Sequence, residues 1–269
     1  MEVRRVLLKD HTTLAVGGPA ELWLLEHPDE LPEATAAPYR VLGNGSNLLV
    51  ADQGVPERVI KLAGRFAEGE LTGWVGAGSL LPIWVQEAAR QGLSGLEPLL
   101  GIPASVGGAV RMNAGTRFGA IADALAEVEY FHQGRFFRKS PGEIGFGYRK
   151  SGLPPGAIVT RVRFDLKRAS REAVAARMAA VDAARKGQPK RKSAGCAFKN
   201  PDHDAAGRLI DAAGFKGFRV GRAMVSHEHA NFVVNLGGAT AREIWQLIEA
   251  IRATLPLELE WEVWGVIEP

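Results

Sequence analysis

The chain is poor in cysteine, in aromatic residues and in long apolar runs. A single cysteine, Cys196, excludes an internal disulfide and any zinc site built on paired cysteines. Six histidines, of which only His227 and His229 lie close together, offer no ligand spacing for a metal centre, so no metal is expected. No apolar run reaches the length of about eighteen residues that a membrane span needs. Met1–Arg5 carry charge at once and lack the apolar stretch of a signal peptide. These absences predict a soluble, cytoplasmic protein. Aromatics make up only 7% of the chain, and none interleaves with the basic run Arg185, Lys186, Lys190, Arg191 and Lys192. Base stacking is therefore unsupported, and nucleic acid is not an expected partner. The run reads either as a solvated loop or as a set of phosphate contacts.

What is present describes a folded protein. At 269 residues, with 46% hydrophobic and 23% charged residues, the chain is long enough for two or three domains. Ala20–Leu25, Tyr39–Leu42 and Val59–Leu62 read as strands, with a short helix bracketed by Pro28 and Pro38. Trp74–Ala77 reads as a strand, followed by a helix that Ser79 caps and Gly92 ends. Leu99–Gly119 lacks regular periodicity and is expected to be loop-rich. Ala126–Phe137 and Ile158–Leu166 alternate as antiparallel strands. Helices are predicted over Ser170–Lys186, Gly207–Ala213 and Thr240–Thr254, and Leu257–Val266 reads as a closing strand. The mixed order predicts an α+β fold, divided at 1–63, 64–167 and 168–269.

Three segments carry chemistry. Gly43-Asn44-Gly45-Ser46-Asn47-Leu48 follows a strand, and its glycines permit backbone that turns successive N–H groups toward an anion such as a diphosphate. Gly101 to Ala109, with Gly107 and Gly108, leads into Asn113-Ala114-Gly115. Neither loop fits the G-x-G-x-x-G dinucleotide fingerprint. Either alone could be an ordinary tight loop, whereas the pair suggests a phosphate-bearing cofactor. The third segment, Ser193 to Pro201, holds Cys196 among small residues, either as a buried hydrophobe or as a proton donor.

These segments, taken with Gly147-Tyr148-Arg149, Ser151, Ser226 to Asn235 and the acidic C-terminal stretch, occur in the order seen in one family. From about His11 to Gly265 the chain resembles the UDP-N-acetylenolpyruvoylglucosamine reductases, in their compact subtype. The resemblance implies the FAD-binding fold of vanillyl-alcohol-oxidase-like enzymes with a C-terminal α+β substrate domain. Residues 1–63 and 64–167 would then be two FAD-binding subdomains and 168–269 the substrate-binding domain. FAD would be held non-covalently, its diphosphate on Gly43, Asn44, Gly45, Ser46, Asn47 and Leu48. Gly107, Gly108, Asn113, Ala114 and Gly115 would lie against the flavin. Ala104 stands where the family commonly has glycine, and Arg111 interrupts a usually less charged stretch.

The implied reaction is reduction of the enolpyruvyl ether on UDP-N-acetylglucosamine, with NADPH as hydride donor. The flavin passes hydride to the terminal carbon of the enol ether, and the resulting enolate-like species needs positive or hydrogen-bonding partners and then a proton. Arg149 matches the position facing the carboxylate. Glu262 matches the assisting acid, although Glu260 and Glu258 would share its face on a strand. Cys196 stands where the family commonly has serine as proton donor. A thiol of ordinary acidity, near pKa ~8.5, is mostly protonated at neutral pH and can fill that role. Tyr148, Lys199 and Asn200 are expected to contact substrate. His229, Asn231 and Asn235 are expected to hydrogen-bond within the last domain. No obligate protein partner is indicated. Two rivals stay open: another FAD-dependent oxidase of the same fold, and a non-enzymatic nucleotide-binding protein.

Overall fold

In the computed structural model, which describes residues 1–268, the chain forms two units, each assembled from separate stretches of sequence. The first comprises Met1–Arg4, Leu22–Asn44 and Glu57–Lys186; the second comprises Arg5–Glu21, Gly45–Pro56 and Gly187–Pro269. Each has its own apolar core.

The first unit is built on a sheet ordered Arg135–Lys139, Leu125–His132, Ile158–Phe164 and Val75–Gly76, with antiparallel neighbours. The stretch read as alternating over Ala126–Phe137 is thus a hairpin of two strands. Val128, Val162 and Val75 are fully buried beneath it. On the sheet, Glu129 accepts from Arg138 and Arg161 at 2.9 Å. Burial pushes its carboxyl up, but these guanidinium hydrogen bonds outweigh burial and hold it below the ordinary value.

A helix, Leu81–Gln91, ends at Gly92 in the left-handed conformation, as predicted. Its start differs from the reading. Leu80 occupies the cap position, while Ser79 Oγ donates to Gly76 O and accepts from Trp84 Nε1. The helix Arg171–Ala184 is capped by Ser170, whose hydroxyl accepts from Ala173 N.

The stretch expected to be loop-rich contains a helix, Val106–Met112. Two glycines hide it from propensity reasoning, since each costs about 1 kcal/mol relative to alanine. Tertiary contacts supply what propensity lacks. Val106 N donates to Ser79 O, Gly107 N to Ala77 O, and Gly108 N to the Ser105 hydroxyl. A Cβ on Gly107 would lie 3.0 Å from the Ala77 Cβ, so glycine there permits close packing. Ala104 is not among the residues of positive φ, so its methyl costs no backbone strain.

The second unit pairs Arg219–Val220, Ala223–Val225 and Val233–Asn235 in an antiparallel sheet, beside the helix Ala241–Thr254. Thr240 and Glu243 form a capping box, and the Asp52 carboxylate accepts from Ala241 N and Arg242 N. Ile244, Leu247, Ile248 and Ile251 are 0% exposed, as the helical spacing predicted. Each such burial contributes about 1.5–3 kcal/mol. The closing strand is shorter than read: only Glu262–Trp264 forms a ladder, parallel to Leu48–Val50. Glu258 and Glu260 precede it, so the three carboxylates do not share one regular strand.

Candidate functional site

In the first unit Gly43 and Asn44, the start of one glycine-rich segment, lie beside the other. Asn44 Nδ2 donates to Pro103 O at 2.7 Å. A Cβ on Gly43 would stand 2.6 Å from the Ser105 hydroxyl and 3.8 Å from Gly108 Cα. Gly108 is half-buried, and a Cβ there would meet only that hydroxyl, at 3.1 Å. Glycine at these two positions thus lets the segments close around the Ser105 hydroxyl without side chains of their own. The start of the Val106–Met112 helix cannot supply the anion contact, because its first N–H groups already donate within the protein. Of the Gly43–Leu48 stretch, Gly43 and Asn44 belong to this unit.

Asn113 ends the same helix in left-handed backbone, at φ 44°. Its side chain points into the protein: Nδ2 donates to Gly147 O at 2.9 Å, and Oδ1 accepts from Ala122 N at 3.3 Å. Ala114 N donates back to Ala109 O, and Gly115 pairs with Ala120 in a small hairpin. The Gly147 contact matters because the next residues are Tyr148 and Arg149, the turn of the hairpin Phe146–Gly147 with Lys150–Ser151. The Arg149 guanidinium lies 5.1 Å from the Tyr148 ring centroid. Arg111, which interrupts a usually less charged stretch, donates from Nη1 to Leu153 O and Pro154 O.

In the second unit Cys196 sits half-buried in a segment bonded on both sides. Cys196 bridges Phe232, Ala197 N donates to Asn231 O, and Ala197 O accepts from Glu260 N. Asn231, 2% exposed, accepts from Phe198 N and donates to Phe198 O. Thr13 Oγ1 donates to Ser193 O at 2.7 Å, and Gly195 takes φ 75°. Asn235 likewise works inside the unit, donating to Leu14 O and accepting from Gly237 N and Ala239 N. His229 accepts at Nδ1 from Asn231 N, and burial lowers its pKa below the ordinary value.

The acidic stretch resolves into different environments. Glu258 pairs with Lys199 at 2.5 Å, so the Lys199 ammonium is neutralised by a neighbour. Glu262 is exposed and accepts from Trp264 Nε1 at 3.3 Å. Asn47 ties the glycine segment to this stretch: Nδ2 donates to Glu260 O, and its carbonyl accepts from Glu262 N. Gly45, at φ 63°, passes close to His11 O, where a Cβ would stand 2.2 Å away. Ser46 is half-buried and Leu48 buried. Asn200 Oδ1 accepts from Ala206 N at the start of the helix Ala206–Ala212.

Within units, then, the fold brings Gly43 and Asn44 to Gly108, Asn113 to the Arg149 hairpin, and Asn47 and the Cys196 segment to the Glu260–Glu262 stretch. Sequence reasoning placed Ser151 in a motif without a role, and missed Thr13 and Trp264, whose signals are single polar atoms with no spacing rule. Among the described residues no cluster of three or more His, Cys, Asp or Glu could hold a metal ion. No helix among them is long and apolar enough to cross a membrane.

Comparison with known proteins agrees with this construction. Residues 188–264 match the family described as UDP-N-acetylenolpyruvoylglucosamine reductase, C-terminal domain, and residues 30–134 match an FAD binding domain. A UDP-N-acetylenolpyruvoylglucosamine reductase of Thermus thermophilus is 69% identical over 264 residues, covering 98% of this chain and 100% of its own. One from Deinococcus radiodurans is 50% identical over 277 residues, covering 97% and 96%. The crystal structure of the Thermus caldophilus reductase matches with a TM-score of 0.97 at 69% identity, covering 98% of this chain and 100% of that one. The expected α+β fold, with an FAD-binding part and a distinct C-terminal domain, is met. On this evidence the chain belongs to the UDP-N-acetylenolpyruvoylglucosamine reductase family.

Proposed function

We propose that the chain catalyses the FAD-dependent reduction, by NADPH, of UDP-N-acetyl-3-O-(1-carboxyvinyl)-glucosamine to UDP-N-acetylmuramate, in cytoplasmic peptidoglycan precursor synthesis. One observation carries the reading. The helix Val106–Met112 holds the glycine segments at its start and the Arg149 hairpin at its end. Seven residues of helix span about 10 Å. Backbone suited to a flavin and a guanidinium suited to a carboxylate are thus set on one short rigid element.

FAD, when bound and reduced by NADPH, supplies the hydride that adds to the terminal carbon of the enol ether. Arg149 faces the substrate carboxylate and offsets the negative charge that spreads into it. Such fixed charge stabilises the reacting state more than the ground state. Cys196 gives its thiol proton to the adjoining carbon, and Glu262 assists as an acid. Gly43 to Leu48 hold the diphosphate of FAD without a covalent link, and Gly107, Gly108, Ala114 and Gly115 keep the flavin face clear of side chains. Tyr148 and Asn200 contact substrate. Lys199 reaches the UDP diphosphate only by leaving Glu258. We read 1–63 and 64–167 as the FAD-binding part and 168–269 as the substrate part, which needs no protein or nucleic-acid partner.

The test follows visible absorbance in one cuvette. Addition of NADPH bleaches the flavin, and addition of the enolpyruvyl nucleotide restores it. Failure to recover under anaerobic conditions overturns the reaction, and flavin that resists release by acid or heat favours the oxidase rival.

A further inference from the structure

The hairpin that carries Arg149 has little to hold it up. It has two paired positions, Phe146 with Ser151 and Gly147 with Lys150, and two residues in its turn. Isolated hairpins of this size are marginal in water. Tyr148, in the turn, is 55% exposed. Arg149 itself takes φ 52°, left-handed backbone that is strained for a non-glycine residue. Something outside the hairpin must hold that conformation.

The end of the Val106–Met112 helix does so at three points. Asn113 Nδ2 donates to Gly147 O before the turn. Ser151 Oγ donates to Arg111 O at 2.9 Å after the turn. Arg111 Nη1 donates to Leu153 O at 3.0 Å and Pro154 O at 3.1 Å, fixing the segment that leaves the hairpin. Asn113 and Ser151 are each 8% exposed, so these bonds are shielded from water. Asn113 is itself left-handed, which asparagine tolerates, and that turn aims its amide at Gly147.

We propose that Arg111, Asn113 and Ser151 are positioning residues for Arg149, a clamp that stores the strained turn and so fixes where the guanidinium points. The proposal rests on the reading of Arg149 as the group that meets the substrate carboxylate. None of the three needs to touch substrate; each acts through the hairpin. A displacement of about 1 Å at a reacting centre can cost roughly 100-fold in rate.

The test uses the FAD-loaded enzyme and a double-mutant cycle. Arg111→Met is expected to slow flavin reoxidation by the enolpyruvyl nucleotide by about 10–100-fold, with Arg111→Lys recovering most of the loss. In an Arg149→Ala background, Arg111→Met is expected to add less than about twofold, because the group it positions is gone. An equal effect in both backgrounds overturns the proposal, as does a loss that Arg111→Lys leaves unrelieved. Trypsin gives a readout independent of activity: Arg111→Met and Ser151→Ala are expected to hasten cleavage after Arg149 or Lys150. Unchanged cleavage in both variants sinks the clamp. Should Arg149→Ala leave reoxidation untouched, the role of Arg149 fails, while cleavage still judges the clamp.

Discussion

The Arg149 hairpin and the Cys196 segment present reactive groups in opposite ways. The hairpin projects from its unit and is pinned by side chains to main-chain carbonyls, through Arg111, Asn113 and Ser151. The Cys196 segment is embedded, with Ala194, Ala197 and Phe198 at 2% exposure or less and main-chain bonds on both flanks. A side-chain clamp can be loosened without unfolding the core, so its defects register in kinetics. An embedded segment shares its contacts with the core, so most substitutions around it register first in stability.

Cys196, half-buried within that segment, sharpens the contrast. Cys196→Ala is expected to slow flavin reoxidation by about 10²–10⁴-fold in stopped flow, while Cys196→Ser keeps substantial turnover. Fast reoxidation in the alanine variant removes the thiol from the reaction. Asn231→Ala should strand Phe198 N and O in the core and lower unfolding free energy by about 2–3 kcal/mol in urea titration. Ser151→Ala, by contrast, should cost only about 1 kcal/mol while still slowing reoxidation. If Ser151→Ala proves the more destabilising of the two, the distinction between the regions fails.

His229 gives the second unit a pH signature. Burial lowers its pKa, with Lys216 acting in the same direction, so the folded state resists protonation more than the unfolded chain. The stability this provides is full above about pH 6.5 and declines as pH falls below it, until the folded-state pKa is reached. His229→Asn keeps an acceptor for Asn231 N and should flatten that decline between about pH 7.5 and 5.5. Identical urea midpoints for variant and wild type across this range would remove the effect. The smallest change is expected from Glu258→Gln, which should alter stability by less than about 1 kcal/mol, since its carboxylate is 72% exposed. A fall in KM for the nucleotide in that variant would show Lys199 released toward the diphosphate.

Much of the fold was legible where local rules agree with packing. The helix Ala241–Thr254 combined an apolar period with a Thr240 cap, and Gly92 and Ser170 stood where termini need them. The helix Val106–Met112 was not legible, because Gly107 and Gly108 argue against helix until Ala77 O and Ser79 O are known to accept from Gly107 N and Val106 N. Ser79 satisfied the pattern of a cap yet serves Gly76 and Trp84. Motif order located the candidate segments, but not what each asparagine does. Asn44, Asn47 and Asn113, all expected at the cofactor, turn their amides to Pro103, Glu260 and Gly147. Such bonds join positions far apart in sequence, and no spacing rule announces them.

The parallel ladder between Leu48–Val50 and Glu262–Trp264 bears on how this protein is made. Asn47 waits for a partner 213 residues later, Glu260, just ahead of that strand. While the ribosome is still working, the early pieces of the second unit therefore emerge without their neighbours, and contacts so distant close slowly. The other unit has all its sequence once Lys186 is out. Synthesis thus imposes an order in which the half bearing Arg149 can mature first and the half bearing Cys196 is sealed only once Trp264 has emerged.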